Sequence, residues 1–379
     1  MKKEGNLFTK GSNRRAFLQK GALAGGAMAI GAGLMSREAR AFGQDRDDRL
    51  TKGDIAILRF LAAAELIESD LWIQYNELGG LTSGVPIEVN PNQTLNPYQA
   101  ALSNLDGDGP QYITSNTLDE ETHANFLNAY LESKGAEPVI LKHFANLPGS
   151  TASGSSGNGR LTNLMHLNVD TSWFIRYRSA TNPDFGATFP QAVTITNRTA
   201  IPISDADLNS PNNPNHIQVI ANTAAFHFGY IEQGGSSLYQ ALGRKVTSEQ
   251  VLKITQAIGG DEIAHFLEWV DFSGNSVQQP NAPVSDSGLT FPDFFALVGT
   301  TGKNNPLIQP SLIFPVPCEF ISKDLPLVSV IRPTDDRFAG AQATIASFTA
   351  DNLFLGQPPE FFKTLKQLAE EADDARREF

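Results

Sequence analysis

Four stretches of the chain repeat their buried-type positions at alternating spacings of 3 and 4, the rhythm of one inward stripe on an α-helix. The first is predicted from about Asp54 to Leu78, with Leu58, Leu61, Glu65, Glu68 and Trp72 in its stripe and Gly79-Gly80 as a stop. The second runs from about Pro110 to Lys134, with proline in its first turn and Gly135 just past its end. Its stripe reads Ile113, Asn116, Glu120, His123, Leu127 and Tyr130. The third, about His216 to Leu242, follows Pro214 and stops at Gly243, and Ala221, Ala225, Phe228, Glu232, Gly235, Tyr239 and Leu242 form a stripe of small residues around one acid. The fourth opens on a capping box, Thr247 with Gln250, and carries Val251, Ile254, Ile258, Glu262, His265, Trp269 and Phe272 before Gly274. Gly259-Gly260 just before its acid cost about 1 kcal/mol each relative to alanine, so they imply a close backbone approach or a local bulge.

The polar members of these stripes carry the chemistry. Each helix places a carboxylate in its apolar stripe, and the second and fourth add a histidine in the pairs Glu120-x-x-His123 and Glu262-x-x-His265. Positions i and i+3 lie about 60° apart on one helical face, so a carboxylate and an imidazole can converge on one ion. With 19 Glu and 6 His in 379 residues, chance placement gives about 0.3 such pairs against the two present. A buried, unpartnered carboxylate is costly, four facing one another also repel, and no Lys or Arg stands in any stripe. Two divalent ions balance four carboxylates charge for charge, with two neutral imidazoles completing the set. The alternative is that some acids sit in water at helix ends and the histidines are satisfied core residues. Glu121 falls off its stripe and is expected to be solvated; His143, His166 and His216 lie outside the Glu-x-x-His spacing, and His227, about 140° from Glu232, reads as structural.

The ordered set Glu65, Glu120-x-x-His123, Glu232, Glu262-x-x-His265 resembles the ferritin-like superfamily of di-iron and di-manganese proteins. Ala64-Glu65-Leu66-Ile67-Glu68, and Glu232 seven residues before Tyr239, look like the secreted ferritin-like domain family related to plant desiccation-related proteins. The match covers about residues 54 to 134 and 216 to 272. It implies a mainly α fold: a ferritin-like four-helix bundle over 45–275, with a long decorated crossover between helices two and three (135–215) and a C-terminal extension over 276–379. It also implies two metal ions, Fe or Mn, with Glu120 and Glu262 bridging, His123 and His265 binding one ion each, and Glu65 and Glu232 terminal. Glu68 is expected to support those ligands or to sit solvated at a helix end. Implied with this is redox chemistry with oxygen or peroxide: an oxidase, a ferroxidase or peroxide removal. The other reading is a non-catalytic metal-binding or stress- and desiccation-protective envelope protein; a third is an interaction module scaffolded by the helices.

Composition narrows the setting. Ser12-Asn13-Arg14-Arg15-Ala16-Phe17-Leu18, a Gly/Ala run to Met35 and Ala39-Arg40-Ala41 form a twin-arginine signal over residues 1–41, with cleavage expected near Ala41. The run is about 15 residues, short of the roughly 20 that span a bilayer, so no stable membrane span is expected after cleavage. The expected partner is the twin-arginine export machinery and the destination periplasmic or secreted; a homo-oligomer is left open, since these residues do not fix the oligomeric state. Removing the leader's eight basic and two acidic residues leaves 21 Lys plus Arg against 39 Asp plus Glu, a formal charge of −18, which argues against nucleic acid as a partner. The lone Cys318 cannot form an intrachain disulfide and is read as an apolar filler. Gly149 to Gly159 reads as a flexible surface loop, Trp173 to Arg178 and Phe189 to Thr196 as short strands, and Arg337 to Leu353 and Pro359 to Arg377 as helices.

Overall fold

The computed structural model describes residues 49–81, 96–105, 107–176, 191–209, 215–276, 283–294, 315, 321–322, 324–330 and 339–378. The expected twin-arginine leader, with Arg14 and Arg15, and Cys318 lie outside them. The fold is mainly helical. Its four longest helices are α1 (Lys52–Gly79), α3 (Gly109–Ser133), α6 (His216–Gly243) and α7 (Glu249–Ser276). Between and after them come α2 (Pro97–Leu105), α4 (Ser172–Arg176), α5 (Asp205–Leu208), α8 (Ala341–Ala350) and α9 (Pro359–Asp374). The described residues also form a 3-10 turn (Lys142–Phe144) and two small antiparallel pairs: β1 (Leu167–Val169) with β2 (Ile195–Arg198), and β3 (Val284–Asp286) with β4 (Leu289–Phe291).

Side-chain contacts fix how the long helices run. Asn76 meets Thr114, the Trp72 carbonyl meets Thr117 and Glu65 meets His123, so α1 and α3 are antiparallel. The same falling register links α1 to α6 through Trp72–Phe228, Tyr75–His227 and Glu65–Tyr239. It links α3 to α7 through Asn116–Trp269, His123–Asp261 and Tyr130–Gln250. Ala225–Ser273 and Gly259 against Tyr239 do so for α6 and α7. The four helices therefore close a ring, each antiparallel to both neighbours, and the predicted stripes face its interior.

The helix termini explain themselves locally. Thr51 and Asp54 form a capping box, the Thr51 hydroxyl accepting from the Asp54 N–H at 3.0 Å. Asp54 also accepts from the Thr247 N–H at 2.8 Å and from that of Ser248, tying the start of α1 to the start of α7. This revises the expected cap of the fourth helix. Ser248, not Thr247, caps α7, its Oγ accepting from the Val251 N–H at 3.4 Å, while Gln250 accepts from the Tyr130 hydroxyl. Gly135 takes the left-handed φ of +76° after α3 that its place as a helix stop requires. Gly259 gives the expected close approach, since a Cβ there would lie 2.7 Å from that of Tyr239; α7 runs on without a bulge, and Gly260 faces open space.

The segment between α3 and α6 differs from expectation. Trp173 lies in the first turn of α4, not in a strand, and its ring packs on Phe226 and Phe266 with Gly229 leaving room for the indole. The strands described in this segment are β1 and β2; of the Phe189–Thr196 expectation, residues 189–190 lie outside the described residues, as do 177–178 of the Trp173–Arg178 expectation, and of 191–196 only Ile195 and Thr196 fall in a strand. Gly149 to Gly159 is pinned: Ser150 Oγ donates to the Pro202 carbonyl at 2.5 Å, Ser153 is held by Asp205 at 2.6 and 2.8 Å, and the buried Arg160 pairs with Glu77 at 2.5 Å. At the C-terminus α9 lies against α1, where Gly53 makes room for Ala375, and its Phe361, Leu365 and Leu368 enter the same core. No described helix is long and apolar enough to cross a membrane.

Candidate metal centre

All six sequence-predicted ligands are brought together inside the ring. Glu65, Glu120 and Glu262 are 0% exposed, Glu232 1%, His265 2% and His123 8%. His123 Nδ1 lies 3.4 Å from Glu65, 3.4 Å from Glu120 and 3.7 Å from Glu262. His265 Nδ1 lies 3.1 Å from Glu120 and 3.3 Å from Glu232. Among the described residues three groups have ligand atoms within 4.8 Å of one another: Glu65–Glu120–His123–Glu262 and Glu120–Glu232–His265, which share Glu120 and comprise all six, and Asp119–Asp261–His265 on their outer side. Among the described residues no Lys or Arg pairs with any of these acids.

Whether the pocket fits a cation can be judged from its own atoms. Glu65 Oε2, Glu120 Oε1, both oxygens of Glu232, both oxygens of Glu262 and His265 Nδ1 are buried without a hydrogen-bond partner. They stand close to one another, His265 Nδ1 3.1 Å from Glu120 and 3.3 Å from Glu232. Buried polar atoms are nearly always hydrogen-bonded, so this many orphans in one place call for a cation. The small stripe on α6 has its use here: a Cβ on Gly235 would run into Glu262 Oε2, so only glycine leaves space for that carboxylate. The donor set of oxygens and imidazole nitrogens, without thiolate, suits a hard or borderline divalent metal.

The electrostatics make the same demand. Burial, then the charge of Glu120, pushes Glu65 up to about 8, and burial pushes Glu232 up to about 7. Burial and the surrounding acids raise Glu262 and Glu68 well above the carboxylate range. Glu120 moves the other way: burial opposes its charge, but hydrogen bonds from His123 and His265 outweigh that and lower it. For His123, burial again works against the charge, yet Asp261, Glu120 and Glu65 together raise it to about 12. Left to protons alone, the pocket draws in positive charge on acids and imidazoles alike, the need a bound cation meets.

Around the ligands sit groups with positioning geometry. Tyr239, expected on the inward stripe, donates to Glu65. Glu68 is buried and faces the other acids but belongs to none of the three groups. Two residues were not anticipated. His123 Nε2 meets Asp261 Oδ2 at 3.2 Å across the α3–α7 interface, and His265 Nε2 meets Asp119 Oδ2 at 3.4 Å in the reciprocal direction. With Nε2 held on the outward side, Nδ1 of each ring is aimed into the cluster. The signal was in the chain, because each Glu-x-x-His is preceded by aspartate, Asp119-Glu120 and Asp261-Glu262. Glu121 is half-buried, not solvated, and burial raises its pKa. His216 pairs with Asp207 and Asp286, His166 with Asn197, His143 packs on Phe144, and His227 is buried against Tyr75.

Compared with known proteins, the chain matches no family model, no curated protein and no solved structure.

Proposed function

We propose that the chain is a ferritin-like four-helix bundle that holds two divalent metal ions, iron or manganese, and uses them for redox chemistry with oxygen or peroxide in the periplasm or outside the cell. The observation that carries this reading is the convergence of seven unpartnered carboxylate and imidazole atoms in two overlapping groups joined by Glu120. Glu65 and His123 would serve one ion, Glu232 and His265 the other, with Glu120 and Glu262 between them. The closed ring of antiparallel helices, the order of the ligands along the chain and the twin-arginine leader support the family assignment.

Bound there, a redox-active metal pair supplies the electrons and Lewis acidity that reduction of oxygen or peroxide requires. The chain's own residues do the rest. Asp119 and Asp261 fix the imidazole orientation, and Tyr239 holds Glu65 by a hydrogen bond. The aromatic and aliphatic residues of the ring exclude water, which strengthens every charge interaction within it. His123, the least buried ligand, marks the side nearest solvent.

Anaerobic loading with Fe(II), removal of unbound metal and exposure to oxygen or peroxide tests the reading. Oxidant consumption in proportion to bound iron, lost in Glu262→Ala, is expected. A second reading, in which the ions only staple the helices, is favoured by the near-complete burial of all six ligands. It predicts metal-dependent melting with no oxidant consumed.

A further inference from the structure

One acid and imidazole group faces outward, at the seam of α3 and α7. Asp119 Oδ2 lies 3.4 Å and Asp261 Oδ2 3.9 Å from His265 Nε2, and Asp261 also meets His123 Nε2 at 3.2 Å. The two aspartate side chains are 40% and 42% exposed, whereas His265 is buried and aims Nε2 at them. Its other nitrogen faces Glu120 and Glu232 inside the ring. One imidazole thus spans the wall between solvent and the acid cluster. Among the described residues neither aspartate pairs with Lys or Arg; their ionic partners are the two imidazole edges. Two carboxylates and an imidazole nitrogen within 4.8 Å of one another are a donor set for a hard or borderline divalent ion, which the positioning of two rings does not by itself require.

An ion needs a polar way in. Other described approaches are covered: Phe228 packs on Trp269 and Trp72 toward one end of the interior, Trp173 fills the α6–α7 groove beside Phe226 and Phe266, and α9 lies against α1. Crossing an apolar wall strips an ion of its hydration with nothing in exchange. At the α3–α7 seam the neighbours are small. Thr122 and Ala264, each three residues beyond its aspartate, are exposed, and Gly260 faces open space. The imidazole then limits what the seam can hold. A neutral ring carries one proton, so the nitrogen that binds an ion leaves that proton on the other. His265 therefore serves an outer ion through Nε2 or an inner one through Nδ1, one at a time.

We propose that Asp119, Asp261 and His265 Nε2 form an outer divalent-cation site from which the inner centre is loaded, an inference that rests on the metal-binding reading of the inner cluster and not on its redox chemistry. The ion arrives hydrated, exchanges part of its water for two carboxylate oxygens and Nε2, and passes inward to Nδ1, Glu120 and Glu232. As it passes, Nδ1 gives up its proton and Nε2 takes one on, so the ring is neutral before and after. That exchange vacates the outer site, and the loaded chain holds its ions in the centre alone.

The test mixes the metal-free full chain with Mn(II) in the absence of oxygen and follows the loss of the free Mn(II) paramagnetic resonance in freeze-quenched samples. Uptake through a site that must hand its ion on levels off as the Mn(II) concentration rises. A rate that stays proportional to Mn(II) throughout overturns the proposal without any variant. Thr122→Lys and Ala264→Lys each set an ammonium three residues from one aspartate and replace no ligand, and lysine suits an exposed helix position. In the double variant the half-saturating Mn(II) concentration should rise about tenfold, with the plateau rate and the final metal content unchanged. Asn158→Lys with Gln367→Lys, exposed in the 149–159 loop and on α9, adds the same charge elsewhere and should shift nothing. Equal half-saturating concentrations in the natural chain and the seam variant, or an equal shift in the control pair, overturn the outer site and leave the centre intact. A natural chain that retains no Mn(II) sinks the centre, and the loading site with it.

Discussion

At the residue scale the centre depends on spaces and orientations as much as on ligands. A glycine in a helix interior normally gains up to about 1 kcal/mol when replaced by alanine. Gly235→Ala is expected to forfeit that gain in the metal-loaded protein, because its Cβ would strike Glu262. Metal titration should show weakened binding, and unchanged affinity would mean that Glu262 is not a ligand. Asp119→Asn and Asp261→Asn each remove a carboxylate from an outward imidazole nitrogen, and an approximately 10- to 100-fold loss of metal affinity is expected, with helicity retained. The convergence of the six residues was legible because a charged residue inside an apolar period is conspicuous. The two aspartates left only a faint signal, one before each Glu-x-x-His, because they sit one position off that period and act across a helix interface that no single helix reveals.

At the element scale, the four long helices could be read because 25 to 28 residues give the 3.6-residue period several turns to declare itself. Short elements offer too few residues for that. Trp173 carries a strand-like composition yet lies in the first turn of a helix, because Gly229 and the rings of Phe226 and Phe266 offer its indole a slot. The start of α6 carries a pH-sensitive tie. His216 Nδ1 lies 2.7 Å from Asp286 and Nε2 3.0 Å from Asp207, so both ring nitrogens can donate only when the imidazole is protonated. Partial burial opposes that charge, but the two aspartates outweigh it and raise the His216 pKa. A raised folded-state value means the tie contributes in full below the unfolded pKa of about 6.5 and is lost as pH rises through the folded value. Melting temperature measured from pH 5 to pH 9 should therefore differ between the natural chain and His216→Gln most at the acid end, and an equal difference at every pH would contradict the tie.

At the scale of the whole molecule, the ring of helices sets a cluster of acids in a buried interior, so stability and metal content should be linked. A metal at about 100 times its dissociation constant stabilises the folded state by about 2.7 kcal/mol. Chelation is accordingly expected to lower the melting temperature, and readdition to restore it. Glu262→Gln keeps the shape and removes a charge, so the metal-free protein should melt at or above the natural value while the metal-linked gain disappears. A large loss of metal-free stability would instead make Glu262 a structural residue. Sequence periodicity indicated that four stripes must face one another, but not which helices are neighbours; that came from contacts such as Asn116 with Trp269 and Tyr75 with His227. The packing of α9 on α1 was likewise invisible, since an amphipathic terminal helix does not say which surface it covers.

The central claim is that acids and imidazoles from four helices meet because paired cations neutralise them. Elemental analysis of the purified chain, after anaerobic incubation with Fe(II) or Mn(II) and removal of unbound metal, tests it most directly. Close to two metal ions per chain, falling to one or none in both Glu120→Ala and Glu262→Ala, is the result predicted. A natural chain with no retained metal, or with the same content in both variants, would contradict it.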